Sequence, residues 1–492
     1  MIRALTPRLA GGFSWAPAAV LGLHLGGYAH AQEGRPAAPK ADTPAAAAKA
    51  DDSPEPAGPG SKVERFVDPK AKPALEIFKP QNYTGPQLRT SGPGNVATRL
   101  QNMAARLENE DPALIKNYID FYAAELTKRD NINALINPPA SMKPDSPQAR
   151  GLEKAVDALT RPIIDARAND NTTFLTNYAR ALFDSQLPKL MNDNYLTRID
   201  AMIVLGMAGG TSSNALEFYA AQLKNPDQVI WVKMWAANGY TNAAKSGRAN
   251  LDATRALYGA DAVVTFLNSD PKLPYFAQFR ALEALGSIRV ATINRPELNL
   301  DVASVIAGYL VDPAARLSTR SWAAWALGML RVPSQISAYN YALAGYEVGD
   351  LAADLGAKIV AEYDEHAATF DRDKDRATSL TANLMFQVVP AVAGEEAISD
   401  SGLLRSNHPN AANAKSFLGK LDEKIKALSR EAYELIRAGG TSQKGKRDDL
   451  NAKVADLRTF LDQNQPKDRH LVPTGPVLPV AEPKVAAKPD AR

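Results

Sequence analysis

One phrase recurs along the middle of this chain, and it constrains the fold more than any other feature. Arg198 is followed by Ala201, Leu205 and Gly206, that is, by Ala at plus three, Leu at plus seven and Gly at plus eight. Arg320, Ala323, Leu327 and Gly328 repeat the frame. Gln278, Ala281, Leu285 and Gly286 fit it with Gln in first place. Lys233, Ala236 and Gly239 make a looser copy, with the Gly two places early. The four copies start 35, 45 and 42 residues apart. A period of that size means stacked supersecondary units, none of which buries its apolar face alone. Each position has a physical reading. Ala lets neighbouring helices approach, and Leu fills the space between units. Gly ends the helix in a left-handed cap. The opening Arg or Lys keeps its stem on the core and its head in water.

The helical reading extends well beyond the phrase. Between about Val96 and Tyr363 the apolar spacing is helical nearly everywhere, as in Leu114, Ile115, Tyr118, Ile119, Tyr122 and Leu126. Asp111 before Pro112 reads as an N-cap with proline at the first helical position. Ser146-Pro147 and Asp312-Pro313 repeat that start signal. No run alternates with β-branched enrichment, so no sheet is expected. In this frame and spacing the chain resembles the HEAT-repeat proteins, in particular the short bacterial units that read Arg-x-x-Ala-x-x-x-Leu-Gly. The resemblance is clear over about Tyr195 to Arg331. It implies an all-α, HEAT-like α-solenoid of helix pairs over 95–369, a scaffold that binds protein rather than one that catalyses.

The flanks read differently. Arg3 and Arg8 precede an apolar stretch from about Phe13 to Leu25, and Ala29-His30-Ala31 is a small-x-small cleavage site. That is a secretory signal peptide over 1–31, without the Arg-Arg pair of the twin-arginine route. The address is export, to the periplasm, the cell envelope or the exterior. Residues 32–94 are rich in Ala, Pro, Gly and charge and read as a disordered linker, with Phe66, Leu75, Ile77 and Phe78 able to pin part of it. Residues 370–410 read as an irregular region with one apolar helix, Leu380 to Val392. Residues 411–463 carry two amphipathic stripes and read as a helical hairpin turning at Gly439–Arg447, a cap on the array. Residues 464–492, with Pro473, Pro476, Pro479, Pro483 and Pro489, read as a disordered tail.

Composition narrows the chemistry. There is no Cys and there are only five His, two of them within 1–31. Disulfides, thiolate nucleophiles and cysteine metal sites are excluded. The 57 Lys and Arg nearly balance the 54 Asp and Glu, and they alternate, so no nucleic-acid stripe forms. No membrane span is expected after signal cleavage. Gly209-Gly210-Thr211-Ser212 lacks the Gly-Lys-Ser/Thr ending of a phosphate loop and reads as a helix cap followed by a Ser N-cap. His366 beside Asp364 and Glu365 reads as a solvated turn. No catalytic residue, metal ligand or cofactor is assigned.

Four of the five Trp lie in two units: Trp231, Trp235, Trp322 and Trp325. Each pair shares a helix face. They either pack between helices or line a face for a protein or peptide partner, with a glycan as the other option. Two rival readings stand beside the scaffold. One is an α/α-toroid enzyme acting on polysaccharide with paired carboxylates. The other is a structural envelope protein whose Pro-rich tails do the work.

Overall fold

The computed structural model describes residues 68, 70, 77, 79–88, 95–136, 150–210, 212–246, 251–293, 301–336, 339–472 and 477–479. The expected signal peptide and most of the linker lie outside these residues, as do Ser146-Pro147 and the final prolines. The regular structure of the described residues is helical, with no β-strand among them. They divide into two compact units, between 73 and 204 and from 205 onward, with Asp68 and Lys70 belonging to the second.

The first unit is built on α1 (Val96–Ala104), α2 (Pro112–Leu126), α3 (Arg129–Ile136), α4 (Gly151–Ala168) and α5 (Thr172–Asp184). Asp111 caps α2 as its sequence predicts, accepting from the Leu114 amide at 3.0 Å with Pro112 at the first turn. α4 packs on α1, α2 and α5. Tyr118 of α2 and Tyr178 of α5 send their hydroxyls to the carbonyls of Ala158 and Leu159 on α4 (3.0 and 3.1 Å). Buried Asn171 caps α5 and donates back to the carbonyls of Met103 and Ala104, which end α1. Part of the sequence-predicted linker is seated here. The Gln81 amide donates to Thr127 Oγ1 (2.8 Å), and the Tyr83 ring meets Phe121 edge-on at 5.4 Å.

α6 (Tyr195–Ala208) carries the first copy of the phrase, and the division between units falls within it. The second unit continues with α7 (Ser213–Lys224), α8 (Ile230–Ser246), α9 (Ala253–Leu267), α10 (Tyr275–Ile288), α11 (Asp301–Val311) and α12 (Leu317–Met329). These form three helix pairs. The second helices stack in a row, α8 on α10 and α10 on α12, while α7 packs on α9 and α11 on α12. The phrase alanines Ala236, Ala281 and Ala323 are fully buried, and so is Leu285, as expected of residues at helix contacts.

Two parts of the phrase behave differently from their sequence reading. Its glycines are not caps. Gly206, Gly286 and Gly328 lie inside helices with ordinary helical φ; the left-handed residues that follow are Gly209 (φ 61°) and Arg289 (φ 65°). The phrase glycines are instead points of close approach. A Cβ on Gly206 would fall 2.5 Å from the Trp235 carbonyl oxygen on α8, and one on Gly286 would fall 2.8 Å from Ala326 Cα on α12. The basic residue is not always in water either. Arg320 is 8% exposed; it donates to the Leu310 carbonyl at the end of α11 and to Asp354. Gln278 likewise donates to the Leu273 carbonyl. Lys233 is 5% exposed, and burial, reinforced by Lys70 against Asp68 and Asp227, lowers its ammonium to about 8. The Asp312-Pro313 start signal also resolves differently: Asp312 accepts from the Ala314 amide in a turn, and α12 begins later, at Leu317.

The rest of the second unit gathers round α13 (Tyr341–His366). α14 (Phe370–Asp373) and α15 (Asp375–Asn383) lead through a π-helical turn, Leu384–Val388, into α16 (Val389–Ala393). α17 (Ala411–Arg437) and α18 (Ser442–Gln463) form the expected hairpin, but its turn is only 438–441, and Gly445 to Arg447 are helical. Both hairpin helices pack on α13. Gly345, Gly349 and Gly356 give them room, meeting Leu418, Leu421 and Val454 respectively. Acids on the same helix bind the hairpin: Arg458 of α18 pairs with Asp350 and Asp354. The proline-rich tail starts later than its composition suggested. Arg469 pairs with buried Glu347 at 2.6 Å, and Leu471, Val472 and Leu478 are buried.

Candidate functional site

The second helices of the three pairs carry a continuous row of rings. Trp231 of α8 lies flat on Phe276 of α10, with centroids 4.3 Å apart and planes 4° from parallel. Phe276 meets Tyr275 edge-on at 5.8 Å, and Tyr275 meets Phe279 at 6.4 Å. Phe279 stacks with Trp322 of α12 at 6.4 Å, and Trp322 meets Trp325 edge-on at 5.4 Å. Trp231, Tyr275, Phe276, Phe279 and Trp322 are all half-buried, so each rests one side on protein and leaves part of itself in solvent.

The row is flanked by cations held in place. The Arg316 guanidinium lies 4.0 Å from the Tyr275 centroid, and that of Arg280 lies 5.2 Å from Phe279. Lys245 stands 6.0 Å over Trp325. A single carboxylate, Glu283 on α10, fixes two of these: Oε1 accepts from Lys245 at 3.0 Å and Oε2 from Arg280 at 2.6 Å. Glu283 is 6% exposed. Burial alone would raise its pKa, but Lys245 and Arg280 outweigh that and hold it below the usual value. The carboxylate therefore stays ionised and keeps both cations beside the rings.

The four tryptophans singled out by sequence have different surroundings. Trp231 and Trp322 belong to the half-exposed row. Trp325 is 5% exposed, presses on Gly286 and donates its indole N–H to Glu395 Oε1 at 2.8 Å. Trp235 packs against Gly206, its indole N–H buried without a hydrogen-bond partner among the described residues. Tyr275, Phe276, Phe279 and Glu283 were not singled out. A signal for one of them was present: Trp231 and Phe276 each stand two residues before their phrase, so in parallel-stacked units they must meet.

Other sequence candidates resolve plainly. Ser212 Oγ accepts from the Ala215 amide (3.3 Å), the N-cap expected after Gly209-Gly210. Ligand atoms of Glu362, Glu365 and His366 lie within 4.8 Å of one another, but Glu362 is engaged by Lys358 and Arg376, each at 3.3 Å. Asp364 is turned to Arg447 instead, at 2.8 Å. Among the described residues no helix is long and apolar enough to cross a membrane. Fold and site together define an all-α protein of stacked helix pairs with an aromatic row on its second helices. No protein family, curated relative or solved structure matches this chain.

Proposed function

We propose that this is an exported, non-catalytic binding protein, a HEAT-like solenoid whose aromatic row receives an extended peptide segment of a partner protein. The observation that carries this reading is the unbroken row from Trp231 to Trp322 across α8, α10 and α12. Trp, Tyr and Arg are the residues that dominate binding energy at protein interfaces, because they combine large rigid area with a polar edge. Here they occur together, half-buried and pre-stacked, so little ordering entropy is lost when a ligand lies on them. Arg280 and Arg316 favour a peptide over a neutral glycan, since their donors match backbone carbonyls and acidic side chains. The stacking of α8, α10 and α12 supports the solenoid reading, with α17 and α18 as its cap.

The test is selection of linear peptides from a displayed library on the whole chain. Enriched peptides are then titrated against Trp231→Ala and Trp322→Ala. Each truncation is expected to cost ~2 kcal/mol or more of binding, about thirtyfold, as at interface hot spots. Unchanged affinity in both variants, or a selection that enriches no peptide, overturns the reading. Export is checked separately: the protein recovered from its producing cells should begin at or near Gln32, and one beginning at Met1 refutes it.

A further inference from the structure

A second site lies away from the row, where α8 and α10 end and α9 begins. A cavity of about 620 Å³ opens there, within the range of pockets that hold small ligands. Its walls are largely apolar, formed by Ala244, Leu251, Ala256, Leu257 and Ile288. Beside the neutral Ser287, Thr292 and Gln335, its charged groups are of one sign: Arg289 and Arg331 both line it, and no carboxylate among the described residues does.

The backbone holds these two arginines side by side. Arg289 ends α10 in the left-handed conformation (φ 65°), and its carbonyl accepts from the Arg331 amide at 3.0 Å. Val290 and Arg331 form an isolated parallel bridge. The Arg289 side chain is 9% exposed and anchored by carbonyls: Nε donates to Met329 (2.8 Å), and Nη2 donates to Ser399 (3.0 Å) and to Asp400. These bonds fix the guanidinium without neutralising it, and its Nη1 makes no bond among the described residues. Burial, with Arg331 adding to it against Asp400 and Glu395, lowers its pKa to about 10. Arg331 is exposed and makes no side-chain hydrogen bond or ion pair among the described residues. Ser287 is also in the lining.

We propose that this cavity binds a monocarboxylate with an unbranched apolar chain, a free medium-chain fatty acid. The chain lies against Leu251, Leu257 and Ile288, and the carboxylate meets Arg331 and the free edge of Arg289. Arginine forks suit a carboxylate because two parallel N–H donors match its two oxygens. An apolar body and an anionic head are both required by this lining. A free phosphate lacks the first and an alcohol lacks the second.

Calorimetric titration of the full chain with decanoate, 1-decanol and inorganic phosphate tests this. Saturable one-to-one binding of decanoate is expected, with decanol and phosphate at least about tenfold weaker, the scale of a lost charge-assisted hydrogen bond. Arg331→Gln changes an exposed side chain, so the melting temperature should hold while decanoate affinity falls about tenfold or more. Decanol binding as tightly as decanoate overturns the proposal without any variant. So does the absence of decanoate binding, or decanoate affinity unchanged in Arg331→Gln. None of these outcomes depends on the aromatic row.

Discussion

Replacing Gly286 by Ala tests the role of the phrase glycine directly. Inside a helix, Ala is favoured over Gly by about 1 kcal/mol, so an unobstructed site gains stability. Gly286 is obstructed. Its added Cβ would lie 2.4 Å from Cζ3 of Trp325, 2.7 Å from Cε3 and 2.8 Å from Ala326 Cα. Carbon atoms rest about 3.5–4.0 Å apart, so α12 must retreat by roughly 1 Å. Overpacking of this kind costs about 1–3 kcal/mol, and moving Trp325 puts its hydrogen bond to Glu395 at risk as well, at about 1.5–3 kcal/mol for a bond to a charged group. After the propensity gain, Gly286→Ala is expected to lose up to about 2 kcal/mol if the hydrogen bond survives and about 1.5–5 kcal/mol if it breaks. Gly308, inside α11, is the control, because nothing lies within 4 Å of its Cβ position. Gly308→Ala should gain about 0.5–1 kcal/mol. The same chemical change then has opposite signs at two helix interiors. Urea unfolding followed by tryptophan fluorescence reads both. A Gly286→Ala variant as stable as Gly308→Ala would refute the close-approach reading and return the glycine to a purely local role.

Two further outcomes follow from buried charge. Asp354 receives Arg320 at 3.1 Å, both of these side chains being buried, and Arg458 at 2.5 Å, whose side chain is 34% exposed. Asp354→Asn should cost about 3–5 kcal/mol, since it strips two cations of one shared anion, and hydrogen exchange should show α18 opening first. A loss under about 1 kcal/mol would show the network to be solvated. In the first unit, burial pushes the Asp200 carboxyl up from 3.8 to about 7. The folded state therefore holds this proton where the unfolded chain has released it, and stability falls as pH rises from about 4 through 7. Asp200→Asn should flatten that slope and raise stability at pH 8 by about 1–3 kcal/mol, the desolvation cost of a buried polar group. Equal urea midpoints for wild type and variant at both pH 5 and pH 8 would contradict it.

Much of the fold was legible because it is written locally. Ala281, Leu285 and the Asp111 cap report on one helix, and periodicity finds them. What was misread depends on a neighbour. Nothing in Arg-x-x-Ala-x-x-x-Leu-Gly says whether the Gly ends its own helix or admits the next, since both need a missing side chain. Arg320 looks like a surface residue until Leu310 and Asp354 are placed beside it, 10 and 34 residues away. The tail looked unstructured by its prolines, yet Arg469 finds Glu347 and Leu478 is covered. In the candidate site, Trp stood out because it is rare. Phe276 and Phe279 are common residues, and only the stacking of units shows that they join Trp231 to Trp322.

The acids of α13 set the order in which the molecule can be completed during synthesis. Asp350 and Asp354 leave the ribosome more than a hundred residues ahead of Arg458, their partner. Until then Asp350 lacks Arg458, and the part of the glycine-lined face that meets Val454 and Leu461 of α18 stays uncovered. Contacts of such long sequence separation close slowly, because the loop between them must be ordered first. The second unit therefore stays open while the chain is being made, and its final packing step comes after α18. Under the proposed export, a translocation channel that accepts only unfolded chains would have that whole interval in which to engage the chain.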